Sequence, residues 1–211
     1  MRVYAGGQLV ADSREPVLVW EIPYYPTYYL PADDVFAQLK PAGDDTYDVI
    51  VGDVTIPGAA RRQIDLVRLE FGAMDEWLEE DEPIYVHPRD PYKRVDILAS
   101  SRHVEVRVDD QVVASSSQPR ILFETSLPPR YYLPLSDVRL DLLRPSDTRT
   151  SCPYKGTASY WSVGEHEDIV WIYRTPVAES QKVAGLVCFY NEKVDIYVDG
   201  ELQERPKTPF S

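Results

Sequence analysis

Residues 3–35, VYAGGQLVADSREPVLVWEIPYYPTYYLPADDV, return at residues 106–138 as VRVDDQVVASSSQPRILFETSLPPRYYLPLSDV. The two stretches align without a gap at a constant offset of 103, and fourteen of the thirty-three positions are identical. Among these are Glu21/Glu124, Pro26/Pro129 and the block Tyr28-Tyr29-Leu30-Pro31 against Tyr131-Tyr132-Leu133-Pro134. A period of about 100 residues is too long for a solenoid unit and matches a duplicated small domain. In such a chain, residues common to both copies mark scaffold, and residues peculiar to one copy are candidates for function. The expected domains are residues 1–100 and 101–211, joined at the polar link Ser100-Ser101.

Around this repeat, apolar residues alternate with polar ones at the period of a strand. Val104 to Val108 alternates, Asp109-Asp110 supplies a two-residue turn and Gln111 to Ala114 returns; the first copy has Gly6-Gly7 at the turn. Glycine adopts the positive φ angles of a hairpin turn without steric cost, and aspartate tolerates them, so both copies are expected to open with the same hairpin. Further strands are expected at Val17–Glu21, Ile121–Glu124, Ile169–Tyr173, Leu186–Tyr190 and Val194–Val198, the last followed by the turn pair Asp199-Gly200. Val95-Asp96-Ile97 echoes Val194-Asp195-Ile196 and reads as the closing strand of the first copy. Two short helices are expected, one over Gly72–Asp81 and one over Pro176–Val183, the latter with Thr175 as cap. The fold class is therefore mainly β: two tandem domains of antiparallel sheets with one or two short helices.

A formal charge of −13 repels polyanions, which argues against a nucleic-acid partner. No run of 18 apolar residues occurs, and the opening MRVYAGGQLV has no signal-peptide pattern, so no membrane association and a cytoplasmic location are expected. Cys152 and Cys188 read as two thiols rather than a disulfide. With three histidines and two separated cysteines, no zinc site and no cofactor are expected.

The most distinctive chemistry lies in Cys152–Trp161, CPYKGTASYW. Lys155 follows Cys152 by three residues, and a nearby ammonium favours a thiolate; Cys152 is the one candidate nucleophile. Tyr160, Trp161 and Trp171 are placed to line an aromatic pocket that stacks a planar ligand. Arg130 stands beside the shared Tyr131 where the first copy has Thr27, and a guanidinium on a rigid aromatic frame suits a bidentate contact. The expected binding set is thus Arg130, Tyr131, Tyr160, Trp161 and Trp171, with Lys155 at the rim. A second or interdomain cluster, Trp77, His87, Arg89, Asp90 and Arg94, lies in Met74–Asp96, with Trp77 inside an acidic run that reads as a solvated helix face and the others in the proline-punctuated stretch after it.

Three segments carry a family resemblance: PPRYYLPLSDV (128–138), DTRTSCPYKGTASYW (147–161) and EEDEPIYVHPRDPYKRVD (79–96). The chain resembles the DUF427 family in its two-copy arrangement. The resemblance implies a tent-type fold, two antiparallel sheets meeting at an angle, shared with methionine sulfoxide reductase B and the thalidomide-binding domain of cereblon. Some relatives hold zinc on two CxxC pairs, which this chain lacks. A nucleotidyltransferase label is sometimes attached to the family, but no Gly-Ser loop followed by a close Asp pair is present to hold magnesium. The leading expectation is a binding protein for a small planar polar ligand in the second domain. The alternatives are an enzyme, either Cys152-dependent or a nucleotidyltransferase, and a structural interaction module.

Overall fold

Gly6 and Gly7 take φ angles of 58° and 70°, and Asp109 and Asp110 take 48° and 64°. Each pair thus supplies the two positive φ angles that match a two-residue turn to the twist of its strands. In the computed structural model, which describes residues 1–211, these turns open two units, Met1–Asp90 and Pro91–Ser211.

The first unit comprises β1 (Arg2–Ala5), β2 (Gln8–Asp12), β3 (Val17–Ile22), β4 (Tyr25–Pro31), β5 (Gln38–Gly43), β6 (Thr46–Val51), β7 (Val54–Gln63), β8 (Leu66–Leu69), β9 (Glu76–Glu79) and β10 (Glu82–Ile84). The second comprises β11 (Val95–Ala99), β12 (Val104–Val108), β13 (Gln111–Ser116), β14 (Arg120–Glu124), β15 (Arg130–Leu133), β16 (Leu143–Cys152), β17 (Gly156–Val163), β18 (His166–Tyr173), β19 (Val187–Phe189), β20 (Asp195–Val198) and β21 (Glu201–Leu202). Helix is confined to short 3-10 turns such as Phe71–Ala73 and Ala178–Val183.

Each unit has two antiparallel sheets, and their orders correspond strand for strand. The small sheets run β10-β9-β1-β2 and β21-β20-β12-β13. The large sheets run β3-β4-β8-β7-β6-β5 and β14-β15-β19-β18-β17-β16, with β11 added beside β14 in the second unit alone. Even the register shifts recur, between Val3 and Tyr4 in one opening hairpin and between Val106 and Arg107 in the other.

The alternation seen in sequence fills the space between the sheets. Val3, Val10 and Trp77 of the small sheet share a core with Leu30, Val49 and Val67 of the large one. In the second unit Val104, Val106 and Ile196 meet Leu133, Val170 and Phe189. Leu30 and Leu133, at matching positions, are fully buried, and each contributes roughly 1.5–3 kcal/mol. The second unit has a further buried cluster, including Leu122, Tyr132, Tyr160, Trp171 and Cys188.

Two expectations are corrected. Gly72–Asp81 is not a helix: Glu76–Glu79 is strand β9, paired with β1, and this pairing takes Trp77 into the core. Burial of one indole across a sheet outweighs the helical preference of an acidic run. Val95–Ala99 does not close the first copy; it pairs with β14, and the counterpart of β20 is β9. The division between units accordingly falls at Asp90/Pro91. The two units also differ in charge: residues 1–90 carry 18 acidic and 7 basic side chains, a net −11, and residues 91–211 carry 17 and 15, a net −2.

Candidate functional site

In the first unit the Pro/Tyr segment between β3 and β4 turns the chain beside the end of β8. Tyr25, Thr27 and Tyr28 of β4, Glu21 of β3 and Arg68 of β8 come together there with Phe71, Trp77 and the segment Val86–Pro88. They enclose a recess of about 320 Å³, at the lower end of the range for small-molecule pockets.

Its walls are stacked aromatic rings. Trp77 lies against Phe71 at 4.9 Å between centroids and 9° between planes, and Tyr28 stacks on the indole at 6.2 Å. The indole N–H donates to the Phe71 carbonyl at 3.0 Å, which fixes the ring. Opposite, Tyr25 stacks on His87 at 4.2 Å. His87 is held there by a tight turn: its N–H bonds to the Tyr85 carbonyl at 2.9 Å around Val86, whose φ is 73°. Positive φ at a β-branched residue in a three-residue turn is strained, and the exposed Tyr85 and Val86 side chains contribute little packing to offset it.

The polar edge consists of Glu21, Arg68 and Glu70. Arg68 reaches Glu70 at 2.7 Å and lies 3.2 Å from Glu21, whose carboxylate also accepts the Tyr29 hydroxyl at 2.5 Å. Burial pushes the Glu21 carboxyl up, but the Tyr29 hydroxyl and the Arg68 guanidinium outweigh it and hold the group below its ordinary value. Behind the aromatic wall, Tyr28 donates to Glu79 at 2.6 Å, and Glu79 is paired with Arg89 at 3.0 Å. Burial and this carboxylate push the Tyr28 hydroxyl far up, so it stays a donor.

The residues expected to bind ligand in the second unit do not share one face. Tyr131 and Trp161 pack against the core between the sheets, whereas Tyr160 and Trp171 belong to the cluster on the opposite face of the large sheet, as alternation along β15 and β17 dictates. Arg130 is on the latter face and is buried, but its bidentate partner is internal: Glu192 accepts two bonds at 2.6 and 2.7 Å. Its guanidinium carbon sits 5.7 Å from the Trp171 ring and 5.8 Å from the Tyr190 ring. Trp171 N–H donates to the Tyr132 hydroxyl at 3.1 Å, and the Tyr160 hydroxyl meets Thr150 at 2.6 Å.

Lys155 is likewise committed. The turn Cys152–Gly156 is tied to the neighbouring 3-10 segment by Ser180 Oγ donating to the Tyr154 carbonyl and by Val177 N–H donating to the Lys155 carbonyl. This aims Lys155 at Glu124, 2.6 Å away and largely buried. The ammonium expected to activate Cys152 thus serves a carboxylate. Cys188, fully buried, has its thiol pushed up to about 12 by desolvation.

Of the second cluster, Trp77 and His87 line the recess and Arg89 supports it through Glu79. Asp90 accepts the Trp20 indole N–H at 3.2 Å. Arg94 belongs to the second unit, exposed and paired with Asp96 at 2.9 Å. Glu21, Tyr25, Tyr28, Arg68, Glu70 and Phe71 were not among the expected site residues. Tyr25 and Tyr28 fall in the Pro/Tyr segment and Glu21 is common to both copies, a pattern that reads as scaffold, and nothing in the sequence marks Arg68, Glu70 or Phe71. No group of three or more His, Cys, Asp or Glu side chains is gathered as a metal site, and no helix is long and apolar enough to cross a membrane.

Strand order and hairpin chemistry define a tandem, all-antiparallel β protein with an aromatic-walled recess in its first unit. The chain belongs to the family described as Domain of unknown function (DUF427), whose model matches residues 1–55 and 96–200. The match includes Glu21 to Tyr28 but not Arg68, Trp77 or His87, so more than half of the recess lining lies outside the matched residues. No curated protein matches the chain.

Proposed function

We propose that the protein binds a small planar polar ligand, and that the recess of the first unit is the binding site. The observation that carries this reading is an opening of about 320 Å³ between two stacked aromatic pairs with a charged edge. Flat rings offer apolar area at little entropic cost, and Glu21, Arg68 and Glu70 provide donors and acceptors that orient a polar ligand. The tent-type meeting of sheets implied by the family resemblance is part of the same proposal.

The second unit contributes a self-contained cluster in which Arg130 and Lys155 are already neutralised by Glu192 and Glu124. An enzymatic reading through Cys152 loses its activating ammonium for the same reason. A thermal-shift screen of nucleobases, amino-acid derivatives and heteroaromatic amides tests the proposal. A hit is expected to raise the melting temperature of the wild type and to lose its effect in Tyr25→Ala, a half-exposed ring whose removal leaves the core intact. A hit that stabilises Tyr25→Ala equally, and loses its effect in Tyr160→Phe, would move the site to the second unit.

A further inference from the structure

The duplication allows the charges at one site to be counted twice. Strand register makes Glu21 equivalent to Glu124, Thr27 to Arg130, Arg68 to Cys188 and Glu70 to Tyr190. In the second unit two carboxylates, Glu124 and Glu192, face two cations, Lys155 and Arg130. In the first unit two carboxylates, Glu21 and Glu70, face one, Arg68. The position of Arg130 is Thr27. The turn that supplies Lys155 is replaced by the shorter Asp44-Asp45 turn between β5 and β6. Arg61 pairs with Arg68 across the β7–β8 register and acts on the Tyr29 hydroxyl that Glu21 accepts, but it is exposed and not part of the recess lining, so the count is of the lining side chains alone. Glu79, behind Tyr28, is matched by Arg89.

The second unit also shows what a cation does here. The Arg130 guanidinium is a planar cation held bidentate by a carboxylate with two aromatic rings within 6 Å, the geometry of a cation–π contact. By the same register Trp171, Tyr190 and Glu192 correspond to Arg61, Glu70 and Gly72, so the first unit lacks those partners along with Arg130; its recess instead has its own rings, Tyr25, Tyr28, Phe71, Trp77 and His87, beside the carboxylates of Glu21 and Glu70.

We propose that the first unit's recess selects a small planar cation with N–H donors, of the amidinium or guanidinium class, held at the Glu21–Glu70 edge beside Thr27, the register counterpart of Arg130. This selectivity presupposes the ligand site proposed above and adds the sign of the ligand's charge. The ligand's N–H groups bond the excess carboxylate at the Glu21–Glu70 edge, and its ring or plane lies between Tyr25 and Trp77. The net −11 of residues 1–90 raises the local concentration of such a cation and makes its association sensitive to salt.

Isothermal titration of the full chain with benzamidinium, benzamide and benzoate tests this, since the three share a ring and differ in charge. Benzamidinium is expected to bind at least about tenfold more tightly than benzamide, with benzoate weakest. Glu70→Gln is expected to remove most of that discrimination, and Thr27→Arg, which grafts the second unit's side chain, to abolish benzamidinium binding. Equal binding of benzamide and benzamidinium would overturn the charge selectivity and leave the ligand site standing. Failure of all three probes to bind would overturn both. If Thr27→Arg does not fold, Glu70→Gln decides: discrimination unchanged in that variant contradicts the proposal.

Discussion

At the end of β3 and β4 the first unit is open where the second, at the equivalent end of β14 and β15, is filled. The second copy carries Arg130, Lys155 and Tyr190 and closes on them with Glu192, Glu124 and the Thr208 hydroxyl, 2.6 Å from Glu192. The first copy, with Thr27 and a shorter turn, keeps aromatic walls and the Glu21–Arg68–Glu70 edge around about 320 Å³. One scaffold thus holds a buried, paired Arg130 in one copy and an aromatic-walled recess in the other. Sequence distinctiveness alone points to the second copy through Cys152–Trp161, yet the charged side chain of that stretch, Lys155, is internally satisfied by Glu124.

The comparison breaks first at Arg130. Arg130→Ala leaves Glu192, whose side chain has no exposed surface, as an uncompensated buried charge, and is expected to cost about 3–5 kcal/mol in urea unfolding. Arg68→Ala, facing partners with more exposed side chains, is expected to cost about 1–2 kcal/mol. Equal losses would mean the two sites are built alike.

A smaller effect is expected at the opening turns. Gly6 in the first unit faces Val54, where an added Cβ would lie 2.4 Å from Cγ2; the equivalent pair in the second unit is Asp109 and His166, bonded at 2.9 Å. Gly6→Asp is expected to destabilise by about 2 kcal/mol in thermal melts, and adding Val54→His to recover part of it. No recovery would show that these positions are not interchangeable.

Acid should erode both sites, each through its own carboxylate. Burial pushes Glu192 up, but Arg130 and the Thr208 hydroxyl hold it below the ordinary 4.5, and Glu21 is lowered in the first unit. A depressed folded value means the unfolded chain binds more protons, so this stability is full above about 4.5 and is lost as pH falls through the folded value. Stability measured from pH 6 to 3 should fall, and Glu21→Gln should make the fall shallower. An unchanged slope in that variant would remove Glu21 from the account. The smallest effect is Val86→Gly, which relieves a left-handed β-branched residue and is expected to raise stability by under about 1 kcal/mol while loosening the His87 wall.

The fold was largely legible because its turns are local chemistry. Gly6-Gly7, Asp109-Asp110 and Asp199-Gly200 each encode a hairpin within two residues, and the constant offset of 103 transfers one copy's reading to the other. Sheet order was less legible, since β11 pairs forward with β14 by alternation that suits either copy. Glu76–Glu79 was misread because a single inward Trp77 in an acidic stretch gives too short a pattern to show a period of two. The recess was missed for a related reason. It is assembled from residues 21–28, 68–72, 77 and 86–88, brought together by sheet pairing alone, whereas Tyr160, Trp161 and Lys155 are neighbours along the chain but are sent to two sheet faces.

The most direct measurement is a titration of the 15N-labelled full chain with benzamidinium, followed by amide chemical shifts. The account predicts that the largest changes fall at Glu21, Tyr25, Thr27, Tyr28, Glu70, Phe71 and His87. Changes confined to residues 150–173 and 186–192, with those amides unmoved, would contradict it.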